Sequence, residues 1–379
     1  QRVTRPETRI ELDMARIEKN GHRHFMAKEI AEQPIVLANA QSAYMQSGKS
    51  LSLPQEADFT RADRVTLVAC GTGHYACHIA KYWFEQIAGL PVDIDIASEF
   101  RYRNPPLSDK SIAIFVSQSG ETADTLAALR YAKGRVARVM SVVNVPTSSI
   151  ARESDLALPI FAGVEVGVAS TKAFSSTLMV LALLALKAAQ DRGRLSADEV
   201  AAHLTDIALL PGLMNQTLAI EPKIAKIAKD LAKAQDILFL GRGTMYPLAL
   251  EGALKMKEIS YIHAEAYASG ELKHGPIALI DAQMPVIVFA PLDSLFEKTV
   301  SNMQEVMARH GRVLLVSDNE GLSQAGGECW HTLAMPKVSE LLAPIIYAIP
   351  AQLLAYHTAV AKGTDVDQPR NLAKSVTVE

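Results

Sequence analysis

Three groups of residues in this 379-residue chain have the types and spacing for chemistry. The first is Ser117-Gln118-Ser119-Gly120-Glu121-Thr122, with three hydroxyls and one carboxamide. The apolar run Ile112-Ala113-Ile114-Phe115-Val116 precedes it and a breaker-free stretch, Ala123 to Arg130, follows it, so the order is strand, hydroxyl-rich loop, helix. Such a junction aims unpaired N–H groups and the positive end of a helix dipole at one spot, where a phosphate fits. Helix capping by Ser119 or Thr122 is the alternative, and it needs one hydroxyl only. The second group is Glu251, Lys255 and Glu258, which share one face of a helix predicted over 246–262. A charged stripe of this kind can be a solvated ion-pair face. Here Leu248, Leu250, Ala253, Leu254, Met256 and Ile259 make the remaining surface apolar, which predicts a buried helix whose stripe faces a cleft. The third group is two single residues. His274, between Gly270 and Pro276 in a polar turn, can titrate near neutrality and act as acid and base in sugar-ring opening, or be structural. Lys374 lies in an aperiodic tail, Asp365 to Glu379; such tails are commonly disordered, yet a desolvated lysine can form a Schiff base with a carbonyl. Together the groups suit an aldose–ketose phosphate, with one carboxylate moving a proton between adjacent carbons and a cation on the developing enediolate.

An α/β scaffold must hold these groups. Val65 to Cys70 leads into Gly71-Thr72-Gly73, and Ile237 to Leu240 leads into Gly241-Arg242-Gly243. Matching apolar runs start at 113 and 286, 139 and 313, and 156 and 333, so the offset stays between 172 and 177 residues. An offset held over four elements indicates duplication of one domain. Each copy alternates short apolar runs with helix-length segments, the pattern of a parallel sheet with helices on both faces. The division predicted is a linker or helical arm at 1–60 (a helix over 22–32, then a polar segment), a first domain at 61–190, a helical connector at 191–235 broken at Pro211-Gly212, a second domain at 236–360, and a tail at 361–379. Ligands of such sheets bind at the carboxyl ends of strands, where both glycine turns and the Ser117 loop fall. The second copy has Ala290-Pro291-Leu292-Asp293 in place of the serine loop. Proline lacks a donor and aspartate repels an anion, so one phosphate site per chain is expected.

Apolar residues make up 49% of the chain, enough to fill two cores, and the net charge is only −3. With no basic block and no acidic tail, neither nucleic acid nor an anionic membrane is an expected partner. Cys70, Cys77 and Cys329 form no metal or disulfide pattern and read as buried thiols in a reducing, cytoplasmic setting; no metal or cofactor is expected. No signal peptide is visible at the polar N-terminus, and the start at Gln1 suggests processing or a piece of a longer protein. Pro344, Pro350, Gln352 and His357 interrupt the longest apolar stretch, 341–360, which predicts a buried helix pair rather than a membrane span. His263 and His357 read as core.

The chain resembles the isomerase part of the glutamine–fructose-6-phosphate aminotransferases, the glucosamine-6-phosphate synthases. The resemblance is carried by Ala69 to Thr72, Ala97 to Arg103, Ser117 to Leu126, Gly167 to Phe174, Leu248 to Ile280 and the closing tail. It implies two tandem sugar-isomerase (SIS) domains, each a flavodoxin-like, doubly wound, five-stranded parallel sheet. By the same resemblance Ser117, Gln118, Ser119 and Thr122 hold the sugar phosphate, and Thr72, Val168, Ser170 and Ala373 line the sugar site. Glu258 is implied as the base acting between C1 and C2, with Lys255 beside it and Glu251 as a further carboxylate. His274 is implied in ring opening, reaching over from the neighbouring subunit of a homodimer, and Lys374 is the tail lysine of fructose-6-phosphate chemistry. Gly73 departs from the family pattern, which often has serine at that sugar-site position. An N-terminal glutaminase domain is expected in the full-length protein. The expected reaction takes fructose 6-phosphate and ammonia to glucosamine 6-phosphate, with glucose 6-phosphate as the isomerisation product. A SIS-type glucosamine-6-phosphate deaminase and a non-catalytic sugar-phosphate sensor are the alternatives; the second would not need Glu251, Lys255 and Glu258.

Overall fold

The computed structural model describes residues 18–378, so residues 1–17 of the expected arm and Glu379 lie outside the described residues. The described chain opens with α1 (Phe25–Ala31), α2 (Gln33–Tyr44) and a short antiparallel hairpin, β1 (Met45–Gln46) and β2 (Ser50–Leu51). The polar segment expected after Glu32 is therefore a helix. Pro34 sits in its first turn, where a missing N–H is harmless, and Val36, Leu37, Ala40 and Tyr44 recur at helical spacing and are buried.

The first domain runs β3 (Val65–Ala69), α3 (Gly71–Gln86), β4 (Val92–Ile96), α4 (Ala97–Arg103), β5 (Ile112–Ser117), α5 (Ala123–Ala132), β6 (Arg138–Val143), α6 (Ser149–Glu153) and β7 (Leu156–Pro159). Next come α7 (Lys172–Asp191) and the connector helices α8 (Ala197–Ala208), α9 (Leu210–Leu218) and α10 (Glu221–Leu231). Pro211 opens α9 rather than breaking a helix. The second domain runs β8 (Asp236–Gly241), α11 (Met245–Ser260), β9 (His263–Ala268), β10 (Pro285–Phe289), α12 (Phe296–Met307), β11 (Arg312–Asp318), α13 (Asn319–Ala325), β12 (His331–Met335) and α14 (Ala343–Lys362).

The strand orders are β4-β3-β5-β6-β7 and β9-β8-β10-β11-β12. Every pairing within these two sheets is parallel, so the two domains share one doubly wound topology, as the repeat implied. β3 and β5 are buried at every residue because helices cover both faces, which is why their sequences are almost wholly apolar, with Thr66 and the closing Ser117 as the exceptions. One hydrophobic core extends through both domains, from Leu67 and Ile114 through α3, α7, α11 and α14 to Phe239 and Ile287. Smaller clusters lie under α4, α5 and α6 on the outer face of the first sheet, and under α12 on that of the second. Among the described residues, α7 is the one helix long and apolar enough to cross a membrane, and it is 89% buried inside this core.

Two readings need correction. The stretch at 341–360 forms one helix, α14, with Pro350 inside it, not a pair. Burial of almost its whole surface outweighs the one backbone bond that Pro350 removes. His263 begins an edge strand and is 66% exposed, with Nδ1 3.0 Å from Asp236 Oδ1; half-buried His357 meets Glu221 Oε1 at 2.9 Å instead of lying in apolar core. Because Leu354 of α14 is fully buried in the core that extends through both domains, Leu354→Ala should cost about 2–5 kcal/mol in a denaturant titration. A loss below about 1 kcal/mol would contradict a core continuous through α14.

Candidate active site

β3 and β5 are neighbours whose following helices pack on opposite faces of the sheet, α3 into the common core and α5 onto the outer cluster. A doubly wound sheet opens its ligand crevice at such a point. The turn after β5 is closed by Gly120, with φ +66°, where a Cβ would lie 2.0 Å from Ser148 Oγ; glycine alone fits. Within the turn the Gly120 N–H donates to Ser117 Oγ at 3.1 Å, and the Glu121 N–H donates to Ser119 Oγ at 3.2 Å. Ser117 Oγ lies 3.1 Å from Thr122 Oγ1. Thr122 holds the N-cap position of α5, yet its side chain accepts no capping bond. The hydroxyls are therefore gathered at the helix N-terminus without being used as caps. Glu121, the one acidic side chain of the turn, accepts the Ser149 N–H at 2.7 Å.

The second domain faces this turn with α11. Lys255 is 1% exposed, and its Nζ lies 2.6 Å from Glu258 Oε2 and 3.5 Å from Glu251 Oε1. The same ammonium donates to Thr72 Oγ1 at 3.1 Å, and Thr72 donates to Glu251 Oε1 at 3.2 Å. Thr72 belongs to the first turn of α3, so the cluster joins the two domains. Burial alone would lower the Lys255 pKa, but the Glu251 and Glu258 carboxylates outweigh it and hold the ammonium above the ordinary lysine range. Burial pushes the Glu251 carboxyl up to about 7 against the pull of Lys255, and its Oε2 has no hydrogen-bond partner.

The tail folds over the same place. The Ala123 N–H of α5 donates to Val376 O at 3.0 Å, and Ser375 Oγ meets Ser119 Oγ at 3.0 Å. Lys374 Nζ lies 2.6 Å from Glu165 Oε2 and donates to Gly167 O at 2.7 Å. Burial would raise the Glu165 carboxyl, but Lys374 and the N–H groups of Thr171 and Ala173 hold it below the usual range.

These parts enclose a cavity of about 230 Å³. Thr72 and Gly73 line it from α3, and Ser117, Gln118, Ser119 and Thr122 from the turn. Val168 and Ser170 line it from the segment before α7, Lys255 and Glu258 from α11, and Ala373 and Lys374 from the tail. Glu251 lies one layer back, behind Thr72 and Lys255. His274 does not reach the cavity; it ends an exposed turn, Ser269–His274, in the second domain. At Gly73 a Cβ would sit 3.3 Å from Ala69 Cβ, so a side chain there needs a small backbone adjustment. Among the described residues no cluster of three metal-ligating side chains occurs.

A family model described as SIS domain matches residues 58–187 and, again, residues 230–362. The chain belongs to the SIS-domain family. Its two SIS units are the two sheets described above. Over 366 residues it is 58% identical to the glutamine–fructose-6-phosphate aminotransferase (isomerizing) of Bradyrhizobium diazoefficiens, covering 96% of this chain and 60% of that protein. The chain thus spans about 60% of the length of the curated relatives it matches. The C-terminal domain of glucosamine-fructose-6-phosphate aminotransferase from Francisella tularensis superposes with a TM-score of 0.90 at 44% identity, covering 93% of this chain and all of that one. A glucosamine-6-phosphate deaminase from Thermotoga maritima superposes less closely, with a TM-score of 0.74 at 25% identity over 93% of this chain and 99% of that one. The chain corresponds to the SIS-domain portion of the aminotransferases.

Sequence reasoning passed over several residues of this SIS site. Glu165 grips Lys374, and Glu29 of α1 accepts the N–H groups of Val166 and Gly167. Gln33 donates to Gln352 Oε1 at 2.9 Å, and Gln352 donates to the Thr171 carbonyl at 3.3 Å. The polar interruption at Gln352 in an apolar stretch was the one available signal.

The raised Glu251 pKa has a consequence for stability. The folded chain binds that proton more tightly than the unfolded chain, whose carboxyl titrates near 4.5. This contribution is complete below 4.5 and is lost as pH rises through about 7. Glu251→Gln should therefore gain in Tm relative to the parent between pH 5 and pH 8. A difference that stays constant across that range would contradict a protonated Glu251.

Proposed function

We propose that this chain interconverts ketose and aldose 6-phosphates and, supplied with ammonia, converts fructose 6-phosphate to glucosamine 6-phosphate. The observation that carries the reading is that one cavity has an anion-type turn from the first domain on one side and the Lys255–Glu258 pair of the second on the other. Three hydroxyls, a carboxamide and the α5 N-terminus suit the phosphate. Glu258 then lies among the groups facing the sugar carbons. It takes the C1 proton and returns it to C2, while the buried Lys255 ammonium stabilises the charge that develops on oxygen. For amination, the Lys374 amine attacks the C2 carbonyl of the open sugar and water leaves. The Lys374 ammonium gives up a proton to solvent before it attacks, and Glu165, 2.6 Å from Nζ, holds the side chain in place. Ammonia then displaces Lys374 from C2, and the C1-to-C2 proton shift gives the amino aldose.

Ring opening is assigned to His274 of a second subunit. An exposed turn remote from the cavity of its own chain is what a shared site in a homodimer requires. Ammonia is assigned to a glutaminase domain of the full-length protein; the relatives extend well beyond the matched part. The reverse, deaminating direction uses the same groups, and the lower similarity to the deaminase favours synthesis. A sensor without catalysis would not need the Lys255–Glu258 pair. A charged sugar phosphate as substrate supports a cytoplasmic setting for the reaction.

Glu258→Gln should bind fructose 6-phosphate with a KM within about three-fold of the parent, yet form glucose 6-phosphate at least about 100-fold more slowly. Turnover near that of the parent would remove Glu258 from the role. Verified heterodimers of His274→Ala and Glu258→Gln subunits should regain activity, because one of the two shared sites is intact; activity no greater than in either homodimer would exclude sharing. Gly73→Ser adds a hydroxyl to the sugar wall and should tighten fructose 6-phosphate about two- to ten-fold, the worth of one hydrogen bond. Weaker binding would mean that the 3.3 Å approach to Ala69 dominates.

A further inference from the structure

Lys374 and the segment it grips are held by a helix that lies outside both SIS matches. The Phe25 and Met26 N–H groups, at the start of α1, donate to Asp367 of the tail at 2.9 and 3.0 Å. The Asp367 carbonyl accepts the Val168 N–H at 3.1 Å. Glu29, one turn along α1 and 1% exposed, accepts the Val166 and Gly167 N–H groups on Oε1. The Gly167 carbonyl, on the far side of that residue, takes Lys374 Nζ. The hydrogen bonds close a ring from α1 to tail, to residues 166–168, and back to α1. Glycine at 167 lets α1 approach this closely, since a Cβ there would stand 2.8 Å from Glu29 Oε2. Residues 25–29, 367 and 374 all fall beyond the SIS-matched stretches, 58–187 and 230–362.

We infer that Glu29 is a positioning residue for Lys374: by fixing the 166–167 peptides it aims the Gly167 carbonyl and the neighbouring Glu165 at the ammonium. Glu29 needs an acceptor oxygen for this and not its charge. Burial and the nearby Glu165 push its carboxyl up to about 7, and one oxygen, Oε1, takes both N–H groups. Glu29→Gln keeps that acceptor, whereas Glu29→Ala removes it and leaves two buried donors unpaired. Removing Asp367 opens the same ring from the tail side.

The role in catalysis rests on the reading that Lys374 reacts with the sugar carbonyl; the role in placing Lys374 does not. The test is therefore made first without sugar. The full chain is treated with limiting acetic anhydride, and acetylation of Lys374 is read by mass spectrometry against Lys233, whose side chain is 77% exposed. Glu29→Ala and Asp367→Ala should raise Lys374 labelling at least about five-fold, the factor that one lost hydrogen bond is worth, with Glu29→Gln within about two-fold of the parent. The same preparations are then trapped with fructose 6-phosphate and borohydride. Glu29→Ala should lose trapping at Lys374, with a fall in amination kcat larger than any rise in the KM for the sugar, whose phosphate is held at the Ser117–Thr122 turn; Glu29→Gln should restore trapping and kcat. Labelling of Glu29→Ala and Asp367→Ala at the parental rate would overturn the positioning role. Failure of the parent itself to be trapped would overturn the carbonyl reading instead, and the two failures are read from different measurements.

Discussion

The ammonium of Lys255 is withdrawn from solvent and is compensated from both domains. Two carboxylates of its own helix and the Thr72 hydroxyl of the other domain compensate it. Taking the lysine out of such a buried set typically costs about 3–5 kcal/mol, because carboxylate charge is left unpaired. The two SIS units are therefore not free to separate at this point. The interaction that fixes the α3 turn against α11 also puts Glu258 and the Ser117 turn on opposite walls of one cavity. Interdomain stability and the placement of reactive groups are one constraint here.

A second polar frame works on the segment before α7. Its carbonyls and N–H groups could not be buried unpaired, and no sheet or helix satisfies them. Gln352, Glu29 and Glu165 do so instead, from α14, α1 and the segment itself, and Gln33 of α2 holds Gln352 in turn. Val168 and Ser170 are held at the cavity by this frame, and Lys374 is held through Gly167 and Glu165. The helices before the first SIS unit are thus part of the scaffold of the site.

Features that depend on neighbours in sequence were legible without coordinates. Strand runs such as those of β3 and β5 are predominantly apolar because both faces are covered, so the duplication stood out. The Ser117 turn and the α11 stripe are local as well, one in six consecutive residues and the other at helical spacing. The polar frame is the opposite case. Gln33 and Gln352 are 319 residues apart, and Lys374 and Glu165 are 209 apart. No local pattern marks such pairs. Helix α2 was hidden for a related reason: Gln33 is buried while Ile35 is 63% exposed, so residue type does not mark its inner face. His263 was misread because apolar neighbours along an edge strand point to the other face from it.

The central claim is that one site is built jointly by the Ser117–Thr122 turn of the first domain and the Lys255–Glu258 pair of the second. A crystal structure of the chain with fructose 6-phosphate tests it most directly. The phosphate should lie in the turn, bonded by Ser117, Ser119 and Thr122, with C1 and C2 within about 3.5 Å of the Glu258 carboxylate. Lys255 should still bridge Thr72 and the two glutamates. Phosphate bound elsewhere, for instance beside Asp293 in the second domain, or a sugar whose C1 and C2 lie out of reach of Glu258, would contradict it.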